Sequence, residues 1–255
     1  MPLSFYKKPA LVVYVTCGDP DLATTRTIVL SAIAAGADVI ELGVPFSDPV
    51  ADGPVIQRAS ERALQQGTTL AQVLTLAADV RQHAQSTGMI VFSYLNPILR
   101  MGMEKFCRVA RHAGVDGALL TDLPVEEAGE YLRAMRAHDL APVFLAAPTS
   151  PDDRLKRIAA ASRGFVYAVS RTGVTGARQQ LAEDAQKLVR RLRRLTKLPI
   201  AVGFGISNAE QFAEAGKFAD AVVVGSAIVE TIEQNQGREA EAVGDFVRKL
   251  SAKMS

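Results

Sequence analysis

Eight short, β-branched apolar runs, each followed by a longer segment with helical punctuation, constrain this chain more than any other feature. They are Leu11–Thr16, Asp38–Leu42, Met89–Ser93, Gly117–Thr121, Pro142–Ala146, Phe165–Val169, Pro199–Val202 and Asp220–Val224. Their apolar content is nearly continuous rather than alternating, the pattern of parallel strands covered on both faces. Between the runs, Thr69-Leu70-Ala71-Gln72 and Ser207-Asn208-Ala209-Glu210 fit the capping box, with Ser207 and Thr69 as caps. Ser150-Pro151-Asp152-Asp153 reads as an N-cap, a proline at the first helical position and an acidic first turn. A weak echo recurs at Gly36-Ala37-Asp38, Gly114-Val115-Asp116 and Gly216-Lys217-Phe218-Ala219-Asp220: a glycine ends a helix and an aspartate opens the next strand.

Eight strand–helix repeats without a linker predict an α/β fold, a single-domain (β/α)8 TIM barrel over residues 1–255. A doubly wound open sheet is the alternative, but no dinucleotide fingerprint follows the first run. Composition narrows the setting. With 29 basic and 27 acidic side chains the net charge is +2, so nothing points to nucleic acid or a membrane surface. No apolar stretch approaches the ~20 residues of a membrane helix. Two cysteines, Cys17 and Cys107, suit a reducing compartment, and the N-terminal segment has no signal-peptide pattern, so a cytoplasmic protein is expected.

Barrel active sites stand on the loops after the strands. Gly203-Phe204-Gly205 follows the seventh run and Gly225-Ser226 the eighth, where barrels commonly hold phosphate. Backbone N–H groups there can approach an anion, and a helix starting at Ser226 would add its N-terminal dipole. The plainer alternative is that these glycines only make tight turns. Arg171-Thr172-Gly173-Val174-Thr175-Gly176, after the sixth run, reads as a lid that closes over ligand, with Gly176 a further phosphate donor, or else as a merely flexible loop.

Glu41 is the most informative single residue. It interrupts Asp38-Val39-Ile40-Glu41-Leu42, where burying a carboxylate is costly. A structural glutamate would need an Arg or Lys partner, and no strand supplies one. Desolvation should raise its pKa and make it a usable acid and base near neutral pH. The proline-restricted loop from Gly43 to Pro54 adds Asp48 and Asp52, either of which could be an ordinary turn carboxylate. No lysine lies in or at the end of a strand, which argues against a Schiff base, and His83, His112 and His138 fall in helical patterns, so no metal site is expected. The basic run from Lys187 to Leu195 carries leucines at helical spacing and no aromatics, as a solvated helix face does.

The fourteen residues Glu41-Leu42-Gly43-Val44-Pro45-Phe46-Ser47-Asp48-Pro49-Val50-Ala51-Asp52-Gly53-Pro54 resemble a motif of the tryptophan synthase alpha subunit family. The resemblance continues through Thr16-Cys17-Gly18-Asp19-Pro20, Tyr94-Leu95-Asn96-Pro97, Thr121-Asp122-Leu123-Pro124, Ser170 to Gly176, Gly203 to Ser207 and Gly225 to Val229, across essentially the whole chain. It implies retro-aldol cleavage of indole-3-glycerol phosphate to indole and glyceraldehyde 3-phosphate, with indole passed to a beta subunit in an α2β2 assembly. Pyridoxal phosphate is then expected only in that partner, with no cofactor in this chain. By the resemblance, Glu41 and Asp52 match the catalytic pair, and Gly176, Gly205, Gly225 and Ser226 the phosphate site. Tyr14, Phe92, Leu119, Tyr167, Thr175 and Phe204 match the substrate pocket and lid, and Pro45, Asp48, Asn96 and Asp122 the partner-facing loops. Ile98 and Leu99 read as spare apolar surface on one of those loops. Family members carry an N-terminal helix under the barrel, whereas only Met1 to Pro9 precede the first run here.

The chemistry suits that inventory. An indole leaving group becomes its own electron sink once C3 is protonated, so neither Schiff base nor metal is required. Glu41 can act as acid and then base, while Asp52 stabilises the indole N–H as positive charge develops. A free-standing indole-releasing lyase, a phosphosugar isomerase or epimerase, and a non-catalytic phosphosugar-sensing barrel are the competing readings.

Overall fold

The computed structural model describes residues 3, 5, 7–169 and 178–251. Among them are nine strands: β1 (Ala10–Thr16), β2 (Val39–Gly43), β3 (Gly88–Ser93), β4 (Gly117–Leu120), β5 (Ala141–Val143), β6 (Leu145–Ala146), β7 (Val166–Val169), β8 (Ile200–Gly203) and β9 (Ala221–Val224). Their order is β5-β4-β3-β2-β1-β9-β8-β7-β6, and the pairings are parallel. The sheet closes because β5 and β6 are two pieces of one run, parted at Phe144, so the eight sequence runs are the eight strands of a (β/α)8 barrel. Phe144 turns its ring outward against Tyr131, 6.1 Å between centroids, while its carbonyl still accepts from the Tyr167 N–H.

The nearly continuous apolar runs are explained by two packed layers. One face of each strand meets the helices, as Val13, Val15, Ile40 and Val91 do. The other fills the barrel, where Val12, Val39, Ile90, Leu119, Val143, Phe165 and Val223 pack together. Leu3 and Phe5 join this inner cluster from below, and the Phe5 ring lies 5.4 Å from that of Phe165. Two side chains ahead of β1 thus close the barrel bottom.

The aspartate echo has a structural meaning. Asp38 accepts the N–H of Leu11 at 2.9 Å, Asp116 that of Met89 at 2.9 Å and Asp220 that of Ile200 at 2.9 Å, so each ties down the start of a neighbouring strand. Each also faces a cation: Lys7 for Asp38, Arg81 for Asp116, and Lys8 with Arg193 for Asp220. Gly36 and Gly114 have the left-handed φ of +112° and +74°, whereas Gly216 is still helical.

Two expected caps move by one residue. Helix α9 (Ala209–Gly216) is capped by Asn208, which accepts from the Gln211 N–H, and not by Ser207. Helix α7 (Asp152–Ala161) has Pro151 at its cap position, leaving the Ser150 hydroxyl to accept from the Ala147 N–H. Thr69 and Gln72 form the full capping box on α3 (Leu70–His83). The basic run lies on α8 (Arg178–Arg193) and beyond it, with Leu188 and Leu192 buried and Lys187, Arg190 and Arg194 exposed.

Candidate active site

A cavity of about 340 Å3 opens at the C-terminal ends of the strands. Its walls bring together residues from distant runs: Tyr14 of β1, Glu41 of β2, Phe92 of β3, Tyr167 of β7, and Phe204, Gly205, Gly225 and Ser226 from the last two βα turns, with Asp52 over the top. The register sets Tyr14 beside Glu41 on adjacent strands. Gly43 and Gly203 leave room for the two tyrosines: a Cβ on Gly43 would stand 2.4 Å from the Tyr14 hydroxyl, and one on Gly203 2.7 Å from the Tyr167 hydroxyl.

Glu41 is 1% exposed, and its Oε1 has no hydrogen-bond partner among the described residues. Burial pushes its carboxyl up to about 8, so it is protonated at neutral pH. Tyr14 packs edge-on to Phe92 with centroids 5.1 Å apart, giving the cavity an aromatic wall. Burial, and next the charge of Asp52, hold the Tyr14 hydroxyl well above its usual range, so it stays neutral. Asp52 lies on the loop before α2 (Pro54–Gln65) and accepts a hydrogen bond from the Tyr94 hydroxyl at 3.0 Å.

Helix α10 (Ser226–Gln234) starts at Ser226 with Gly225 at its cap and no side-chain cap hydrogen bond among the described residues. Gly205 has φ +79° with open space where a Cβ would be. An anion at this corner meets a helix N-terminus and two glycine turns. Thr175 and Gly176, like the rest of residues 170–177 in which the sequence predicts a lid, lie outside the described residues. No group of three or more His, Cys, Asp or Glu arranged for a metal occurs among the described residues.

Leu119 is not among the residues lining the cavity: it is fully buried in the inner cluster, although its register partner Phe92 lines the wall. Pro45 is buried as well, beneath a cleft it shares with Asn96, whereas Asp48, Asn96 and Asp122 are exposed. Asp122 accepts the Leu95 N–H at 2.7 Å at the start of α4 (Leu95–Met101). Ile98 and Leu99 stand on this helix and not on a loop; Ile98 is fully buried and only Leu99, 54% exposed, presents apolar surface. Val50, on the Asp52 loop, is 86% exposed. Cavity residues that sequence reasoning passed over are Ile56, Thr121, Leu145, Val169, Leu181 and Val223. Strand parity with Phe92 and Tyr167 was the signal available for those on the strands.

The profile of the family described as tryptophan synthase alpha chain matches residues 3–254. The tryptophan synthase alpha chain of Solibacter usitatus is 54% identical over 245 residues, covering 95% of this chain and 91% of that one. The chain belongs to the tryptophan synthase alpha chain family. The Methylococcus capsulatus relative is 48% identical, over 96% of this chain and 91% of its own. Among solved structures, a chain of the tryptophan synthase complex from Pyrococcus furiosus superposes with a TM-score of 0.88 at 38% identity, covering 97% of this chain and 99% of that one. The tryptophan synthase subunit alpha of Legionella pneumophila gives a TM-score of 0.88 at 35% identity, over 96% and 92% of the two chains. As a member, the chain is a lyase of tryptophan biosynthesis that cleaves indole-3-glycerol phosphate to indole and glyceraldehyde 3-phosphate. In this family pyridoxal phosphate belongs to the beta subunit.

Proposed function

We propose that Glu41 and Asp52 perform the cleavage, that Gly205, Gly225 and Ser226 hold the substrate phosphate together with Gly176, and that Tyr14, Phe92, Tyr167 and Phe204 enclose the indole, with Thr175 on the lid. The observation that carries this reading is a fully buried carboxyl in the wall of the cavity whose Oε1 has no hydrogen-bond partner among the described residues. A protonated Glu41 delivers its proton to C3 of the indole ring, which becomes an indolenine. The carboxylate left behind takes the proton of the hydroxyl on the adjoining side-chain carbon. That carbon's bond to C3 breaks, its electron pair returns to the ring and neutralises the nitrogen, and the side chain leaves as the aldehyde. The Asp52 carboxylate faces the ring N–H and balances its transient positive charge. Anchoring the phosphate at the start of α10 orients the glycerol chain.

Every step uses side chains of this chain, so it works without a cofactor of its own. It acts as one unit in the cytoplasm, and among the described residues no helix is long and apolar enough to cross a membrane. The partner is a tryptophan synthase beta subunit in an α2β2 assembly, docking on the C-terminal face. Val50 and Leu99 there are two of the three exposed large apolar side chains among the described residues, one on the Asp52 loop and the other on α4. Indole release from indole-3-glycerol phosphate, with and without the beta subunit, tests the reading. Release that rises on complex formation is the expected result; no complex and no rise would favour a self-sufficient lyase, and no release a sensing barrel.

A further inference from the structure

The Asp52 loop leaves the barrel and carries a strongly exposed Val50, yet its carboxylate has to meet a ring inside the cavity. The backbone of Asp52 is braced within its own loop and helix: its N–H reaches the Pro49 carbonyl at 3.0 Å, and its carbonyl accepts from the Gln57 side chain at 2.9 Å. Neither contact sets where the carboxylate points. A residue forty-two positions along does. Tyr94, buried at the end of β3 and capping α4, accepts the Ala51 N–H at 2.9 Å on its hydroxyl oxygen and donates its proton to Asp52 Oδ2 at 3.0 Å. Its ring lies 5.0 Å from that of Phe46 at 30°, so the phenol itself has little freedom. Burial and the neighbouring Asp52 charge keep the hydroxyl protonated, as a permanent donor.

We infer that Tyr94 is a positioning residue for the cleavage: its hydroxyl, fixed to the barrel strand, clamps the backbone and the carboxylate of the Asp52 loop at once and so aims Asp52 at the indole N–H. This rests on the reading of Asp52 given above. Tyr94 reaches the chemistry only through Asp52. Since Tyr94 is the N-cap residue of α4, which carries the exposed Leu99 on the partner-facing side, the same residue connects that face to the carboxylate.

The test is a double-mutant cycle with Tyr94→Phe and Asp52→Asn in the full chain, alone and with the beta subunit, following single-turnover indole release. Tyr94→Phe keeps the ring against Phe46 and removes only the hydroxyl. A carboxylate misplaced by about 1 Å costs on the order of 10²-fold, so Tyr94→Phe should lower kcat about tenfold or more, with KM for indole-3-glycerol phosphate within about threefold of wild type. In the Asp52→Asn background the same change should cost less than about threefold, because coupled residues are not additive. Full kcat in Tyr94→Phe, or an equal loss in both backgrounds, overturns the positioning role while leaving Asp52 in place. A fully active Asp52→Asn overturns the reading of Asp52 and the proposal with it.

Discussion

Three aspartates at the N-terminal end of the barrel and Glu41 near its C-terminal end are held in opposite ways. At the N-terminal end, Asp38, Asp116 and Asp220 each accept a backbone N–H from the start of a neighbouring strand and each faces at least one cation. At the C-terminal end, Glu41 is buried deeper than any of them and its Oε1 has no partner among the described residues. A paired carboxylate lowers the energy of the fold. A buried, unpaired one raises it, and stays neutral to limit the cost. The difference separates stability from chemistry within one set of strands: the bottom holds the barrel together, and the top spends some of that stability on an acid poised near neutral pH.

Glu41→Gln attacks the top of that comparison and carries the largest effect. Losing the acid and base should lower single-turnover indole release by roughly 10²–10⁴-fold while the protein stays folded and binds glycerol phosphate as before. A rate within threefold of wild type would remove Glu41 from the chemistry. In the wild type, the protonated form starts the reaction, so kcat/KM should fall as pH rises through about 8.

Asp116→Ala attacks the bottom. It leaves the Met89 N–H without its acceptor and takes one partner from Arg81, which keeps its bonds to the carbonyls of Gly114, Ala84 and Thr87. About 2–3 kcal/mol of stability should be lost in denaturant unfolding, with the indole-release rate of the folded fraction unchanged. A rate loss without a stability loss would contradict the division of labour.

Glu41 itself also predicts a pH trend in stability. Because the folded pKa of Glu41 is raised from 4.5 to about 8, its contribution to stability is complete below about 4.5 and is lost as pH rises toward 8. Thermal unfolding of Glu41→Gln against wild type should therefore show a difference that shifts steadily in the mutant's favour between pH 5 and pH 8 and levels off above that. A difference independent of pH would mean that Glu41 is ionised in the fold.

Gly225→Val gives the smallest effect. A Cβ there meets Tyr14 only at an ordinary 3.5 Å, so the barrel should accept it. The added branches crowd the turn where an anion would sit, and calorimetry should find glycerol phosphate bound about tenfold more weakly, the worth of one lost hydrogen bond to a charged group. Unchanged affinity would place the phosphate elsewhere.

Much of this was legible beforehand, and the exceptions share a physical cause. The runs were readable because parallel strands packed on both faces must be apolar throughout, and Glu41 stood out because it breaks such a run. The same double burial hides which inward positions reach the cavity, so Leu119 and Phe92 looked equivalent although only Phe92 lines its wall. Ile98 read as loop surface because α4 is only seven residues long, too short to show a period. The caps moved by one residue because the Asn208 side chain caps as well as Ser207 could, and because the Ser150 hydroxyl accepts from the Ala147 N–H, leaving Pro151 at the cap position without a side-chain bond. Tyr94 was invisible as a clamp, since its bond to Asp52 spans forty-two residues and no local pattern records it.

The protonation state of Glu41 tests the central claim most directly. Difference infrared spectroscopy of wild type against Glu41→Gln, without ligand and across a pH series, isolates the carbonyl band of this one carboxylic acid. The account predicts a protonated carboxyl at pH 7 that disappears as pH rises through about 8 and is absent from the mutant. A Glu41 already ionised at pH 6 would contradict it.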